Sequence, residues 1–223
     1  MTATNDTCRR RLISAFCCLA LGLFFLTNPI TRFSVEGAKS TGQIAMIGFV
    51  APLHVALMAG ALLGMTQLLR HRADRAGLIG ATLVLLGWVV STRIMVIGQL
   101  DALLTNGVPG VPANSLQKIF QHAPLVFASI FPLGLLFPIG LIVLGLTMAV
   151  ARPIHRSAGV LLAIGGVLFP IGRIGGYEWA VVSSDLALAA TFALTGWRIF
   201  TRPELWEGEE AVLLEARGEP AHA

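Results

Sequence analysis

Four side chains in this 223-residue sequence are out of keeping with their surroundings: His54, Arg93, Arg173 and Asp185 each lie inside a long apolar run. One aspartate with two arginines can form an ion pair and leave a cation in excess, an arrangement that favours an anion. An imidazole can hydrogen-bond a neighbour, carry a proton or act as an axial ligand to haem iron. Ser91, Thr92, Ser183 and Ser184 add hydroxyls beside these groups. A reaction asks for more. Converging carboxylates, a nucleophile beside a base, or a His/Asp constellation are the usual requirements, and Asp185 with His54 does not supply one. The sequence is therefore read as that of a non-enzyme.

The runs that hold these residues dominate the composition. Apolar residues make up 55% of the chain and charged residues 13%, about half of what a soluble domain uses to solvate its surface, so the expected solvent is lipid. The formal charge of +4 comes from short basic clusters between apolar runs, with no basic stripe along one face, which excludes a nucleic-acid partner. The three cysteines, Cys8, Cys17 and Cys18, all fall near the N-terminus, leaving no pair to cross-link the loops. His71 and His155 stand beside arginines in short polar turns, and neither they nor the cysteines have metal-ligand spacing.

A spanning helix needs about 20 mostly apolar residues. Six stretches qualify, Leu12 to Thr27, Ile44 to Leu69, Gly77 to Leu100, Pro124 to Val150, Ala158 to Gly176 and Trp179 to Phe200, which predicts an all-α, six-helix membrane bundle. Residues 1–11 form a basic N-terminal segment, 12–200 the membrane domain and 201–223 an acidic tail. Eleven Lys and Arg lie on the side of the N-terminus, in the turns Arg70 to Arg75 and Arg152 to Arg156 and beyond Arg198; three, Arg32, Lys39 and Lys118, lie on the other side. The positive-inside bias then puts both termini in the cytoplasm, with Trp179 and Trp197 as anchors at the two interfaces. Arg9 to Arg11 before the first run also resembles a signal peptide, but Asn28-Pro29-Ile30-Thr31 offers no small-residue cleavage site, so an uncleaved anchor is expected. Fourteen Arg against two Lys, with much Ala, Gly and Leu, points by association to a GC-rich bacterium and its plasma (inner) membrane.

Between the spans, Ser115 can cap a short interfacial helix with Leu116, Ile119 and Phe120 on one side, after the turn signals Asn106-Gly107 and Pro109-Gly110. In the tail, Val212, Leu213 and Leu214 interleave with glutamates and can form an amphipathic face. Spans two and three share a faint pattern with spans four and five, with Gly64, Arg70 and Gly77 answered by Gly145, Arg152 and Gly159. Gly60-x-x-x-Gly64 invites close helix approach, and Pro132, Pro138 and Pro170 can kink their helices.

On this topology His54, Arg93, Arg173 and Asp185 lie about 16, 11, 5 and 9 Å below the outer boundary, at about 1.5 Å per residue. An intramembrane ionisable group turns inward and finds a partner. Asp185 is expected to pair with Arg93 or Arg173, and the two arginines can also snorkel towards headgroups. Three functions fit. The first is a binding or transport module whose outer-half pocket, built from Arg93, Arg173, Asp185, His54 and Ser184, holds a small anion or a lipid headgroup. The second is a haem b protein on His54, with Met58, Met95 or water as the second ligand. The third is an accessory subunit whose tail or apolar surface binds other membrane subunits.

Overall fold

The computed structural model describes the backbone of residues 2–34, 41–107, 124–203 and Trp206, and side chains within 6–27, 53–70, 72–92, 132–203 and at Trp206. Its helices are α1 (Thr2–Ser34), α2 (Thr41–Gly107), α3 (Pro124–Ala151), α4 (Arg156–Arg173) and α5 (Glu178–Thr201). The backbone of α2 leaves helical geometry at Ala73, with φ −158° and ψ 49°, inside the basic turn expected from the sequence. Two arms result, and they count as separate spans. Six stretches among the described residues are long and apolar enough to cross a membrane: Asp6–Thr27, Leu53–Arg70, Arg72–Thr92, Pro132–Ala151, Arg156–Arg173 and Glu178–Thr201. The expected helix around Ser115 and the tail face at Val212 to Leu214 lie outside the described residues. Helix α1 starts ten residues before the apolar run at Leu12, because an apolar run marks where lipid begins and backbone hydrogen bonding can continue beyond it.

Each helix packs on its neighbours in the chain, and α1 closes the circle by packing on α5. Lipid tails are as apolar as leucine, so what draws helices together in a membrane is close van der Waals contact, which small residues permit. Gly87 in the second arm meets α3 so closely that a Cβ there would lie 2.0 Å from the backbone nitrogen of Phe137. Gly145 of α3 and Gly159 of α4 do the same for that pair, each facing the other's helix backbone. On the other side of the circle, Gly60 and Gly64 of the first arm admit Cys17 and Ser14 of α1. The two hairpins are alike in part: Gly77 and Gly159 both pack back on the preceding helix, whereas Gly64 faces α1 and Gly145 faces α4. Leu21, Phe25, Met58, Met65, Phe137 and Phe192 fill the middle and are fully buried.

One end of the bundle is basic. Helix α3 stops where Arg152 turns left-handed, with φ 52°, and Pro153 follows to block continuation. The Arg152 N–H donates to the Met148 carbonyl at 3.0 Å. Arg72, from the turn of α2, donates through Nη1 to the carbonyls of Ala151 at 3.1 Å and Arg152 at 2.9 Å, setting a cation at the negative end of the α3 dipole. Arg198 of α5 meets His155 at the start of α4. These contacts bring the turns and the end of α5 to the same end of the molecule.

Candidate functional site

At the opposite end, Asp185 opens the interior stripe of α5, which continues through Leu188, Phe192, Thr195 and Ile199 at helical spacing, all buried. Its side chain is fully enclosed, at 0% exposure. Helix α4 ends at Arg173, and a turn through Gly176, at φ 75°, folds α5 back so that the two charges meet. Arg173 Nη2 donates to Asp185 Oδ1 at 2.9 Å and to Oδ2 at 3.3 Å. This realises the salt bridge expected from the sequence and selects Arg173 as a partner. The pairing is needed: an uncompensated carboxylate in a medium without water costs several kcal/mol or changes its protonation.

The arginine is only partly covered. Its side chain is 30% exposed, and its guanidinium carbon lies 4.2 Å from the centre of the Phe169 ring, one turn earlier on α4. Stacking on that ring holds the planar group in place while one nitrogen serves Asp185. Nε and Nη1 have no hydrogen-bond partner among the described residues.

Of the other residues expected in the pocket, Ser184 and His54 are described, and each has a contact of its own. Ser184 donates to the Gly165 carbonyl at 3.0 Å, tying α5 to α4, while the Thr191 hydroxyl lies 2.9 Å from the Ala187 carbonyl of its own helix and 3.2 Å from the Ala158 carbonyl of α4. Ser91 and Thr92 donate to carbonyls of their own helix, Gly87 and Val89. The side chain of Arg93 lies outside the described residues, as does that of Met95. His54 is buried at 7% exposure on the first arm, its ring centre 3.7 Å from that of Phe24 in α1. Met58 is fully buried one turn further along the same arm; two groups four residues apart on one helix face cannot clamp a porphyrin from opposite sides. Among the described residues no group of three His, Cys, Asp or Glu is placed to hold a metal ion.

The sequence reading missed a layer of aromatic rings across the bundle. Phe25 of α1 stacks on Phe192 of α5, with centres 5.8 Å apart and planes 6° from parallel. Phe25 also meets Trp88 of the second arm at 6.0 Å, Trp88 meets Phe137 of α3 at 5.0 Å, and Phe137 meets Phe169 of α4 edge-on at 4.7 Å. Five of the six spans thus give a ring to one layer, which ends beneath Arg173. Trp88 Nε1 is buried with no hydrogen-bond partner among the described residues. Two signals were readable: Phe169 and Arg173 are four residues apart on one helix, and Trp88 sits mid-span, away from the belts that tryptophan prefers.

Comparison with models of protein families, with curated proteins and with solved structures returns no match. Fold and site therefore define a class only: a multi-pass bundle with, among the described residues, six apolar helical stretches and a buried charge pair set above an aromatic layer.

Proposed function

We propose that this chain is a non-enzymatic binding module of the plasma membrane, the inner membrane of a bacterium, with its basic end in the cytoplasm. In the outer half of the bilayer it holds a small anion or the phosphate of a lipid headgroup at Arg173. The observation that carries this reading is the guanidinium itself: one nitrogen neutralises Asp185, while Nε and Nη1 remain available on a side chain that is 30% exposed. A planar fork with two donors unpartnered among the described residues suits a phosphate oxygen pair, and Arg93 is the second cation that the sequence offers at a similar depth. Ile174, Tyr177 and Trp179 beside the site are exposed apolar and aromatic groups, the surroundings of a headgroup at an interface. The aromatic layer below favours holding a ligand over passing it, since conduction would require those rings to part.

The test is native mass spectrometry of protein released from nanodiscs containing phosphatidylglycerol. The wild type is expected to retain phospholipid, and both Arg93→Ala and Arg173→Lys to lose about tenfold in retention. Arg173→Lys keeps a cation for Asp185 and removes only the planar fork, so its folding should survive. Equal retention by all three proteins would refute the site; retention of free phosphate in place of lipid would identify the anion as the soluble one.

A further inference from the structure

Trp206 is the described residue that follows the end of α5 most distantly, and it does not leave the molecule. It is 8% exposed and joins the apolar core at the basic end, and its backbone N–H donates to the Pro203 carbonyl at 2.9 Å in a tight turn. The chain that follows therefore starts beneath the bundle, at its arginine-lined end. That chain carries Glu207, Glu209, Glu210, Glu215 and Glu219 against Arg217. The described surface it starts from has the reverse balance: Arg70, Arg75, Arg152, Arg156 and Arg202 are exposed, Nε of Arg11 is buried without a partner, and the carboxylates there are Asp6 and Asp74.

We propose that residues 207–215 dock on this arginine face as an internal counter-ion, and that they compete there with anionic lipid headgroups. Single exposed ion pairs are weak, about 0–1 kcal/mol each, so no one glutamate could hold the segment. Tethering changes the balance. Tethering to α5 makes the encounter intramolecular, at an effective concentration on the order of mM, and four carboxylates act together. Glu215 lies nine residues beyond Trp206 and can reach at most ~30 Å, whereas neighbouring helices are about 8–10 Å apart, so the segment can cross several helix ends. The contact is solvent-exposed and screened: the Debye length falls from about 10 Å at 0.1 M salt to about 3 Å at 1 M. This inference is independent of the outer site.

The experiment is a spin-label distance measurement in nanodiscs of phosphatidylcholine, with labels at Ala211→Cys and Ser157→Cys in a chain carrying Cys8→Ser. A short-distance population at about 0.05 M KCl that is lost at about 1 M, and is lost in the variant with Glu207, Glu209, Glu210 and Glu215 all changed to Gln, is the expected result. Identical distributions in the wild type and the Gln variant would overturn the proposal, whether both are broad or both are short; the second case would mean apolar docking through Val212 to Leu214. Replacing the lipid by phosphatidylglycerol should release the segment, and failure to do so would overturn the competition.

Discussion

A carboxylate in the middle of an apolar run implies a cation nearby, and Asp185 and Arg173 meet that demand across a turn that brings side chains twelve residues apart within 2.9 Å. This part of the site was legible because the cost of an unpaired buried charge is far larger than any competing term. The roles of the hydroxyls were not legible. Ser184 looks like pocket lining in a sequence, but a serine in a helix can bond a neighbouring helix's carbonyl as readily as a ligand, and it bonds Gly165. The pair itself makes a sharp prediction. Arg173→Leu alone takes a guanidinium partner from Asp185 and should destabilise the protein by up to about 3–5 kcal/mol, whereas Arg173→Leu with Asp185→Leu should recover most of that loss. Reversible unfolding in mixed micelles measures both; a double variant no more stable than the single one would mean that the carboxylate is held mainly by other groups.

At the scale of helices, the number of spans was readable and their neighbours were not. In lipid both the outward and the inward faces are apolar: Leu53 and Leu63 face out while Leu62 and Leu69 are buried, and the same letter serves both. Glycine carries the missing information, but only when its opposite helix is known. Gly87→Ala would drive a methyl into the Phe137 backbone, which cannot move without parting the second arm from α3, so a loss of about 1–3 kcal/mol or more is expected. Gly134→Ala, with nothing among the described residues within 4 Å of its Cβ, should be neutral or stabilising by up to about 1 kcal/mol. Similar effects of the two would contradict the packing of these helices. The end of α3 gives a further case. Arg152 holds a left-handed backbone that costs a side-chain-bearing residue about 1–2 kcal/mol, offset in part by the greater freedom of glycine in the unfolded chain, so Arg152→Gly should stabilise by up to about 1 kcal/mol. A clear loss would show that the arginine side chain contributes more than its backbone conformation costs.

The whole molecule is polarised, with arginines from the start of α1, from the turns and from the end of α5 at one end and the Asp185–Arg173 pair near the other. The basic bias is the ground for the proposed orientation, with the arginine end inside. The three cysteines provide a test without any mutation. Cys8 is exposed at the basic end, whereas Cys17 and Cys18 are buried, the former against Gly60 and the latter with its thiol directed at the Ala61 carbonyl, 3.9 Å away. A membrane-impermeant maleimide should therefore leave the protein unmodified in intact cells and add a single label in inside-out vesicles. A single label on intact cells would reverse the orientation and move the proposed headgroup site to the inner leaflet. No label in either preparation, with the mass of the mature chain lowered to match, would show that the segment bearing Cys8 is removed. The bundle would then lack α1, the helix that closes the circle on α5 and supplies Phe25 to the aromatic layer. That loss would expose Phe192 and the interior stripe of α5 to lipid, so a chain without α1 should also unfold more readily in mixed micelles than the full chain.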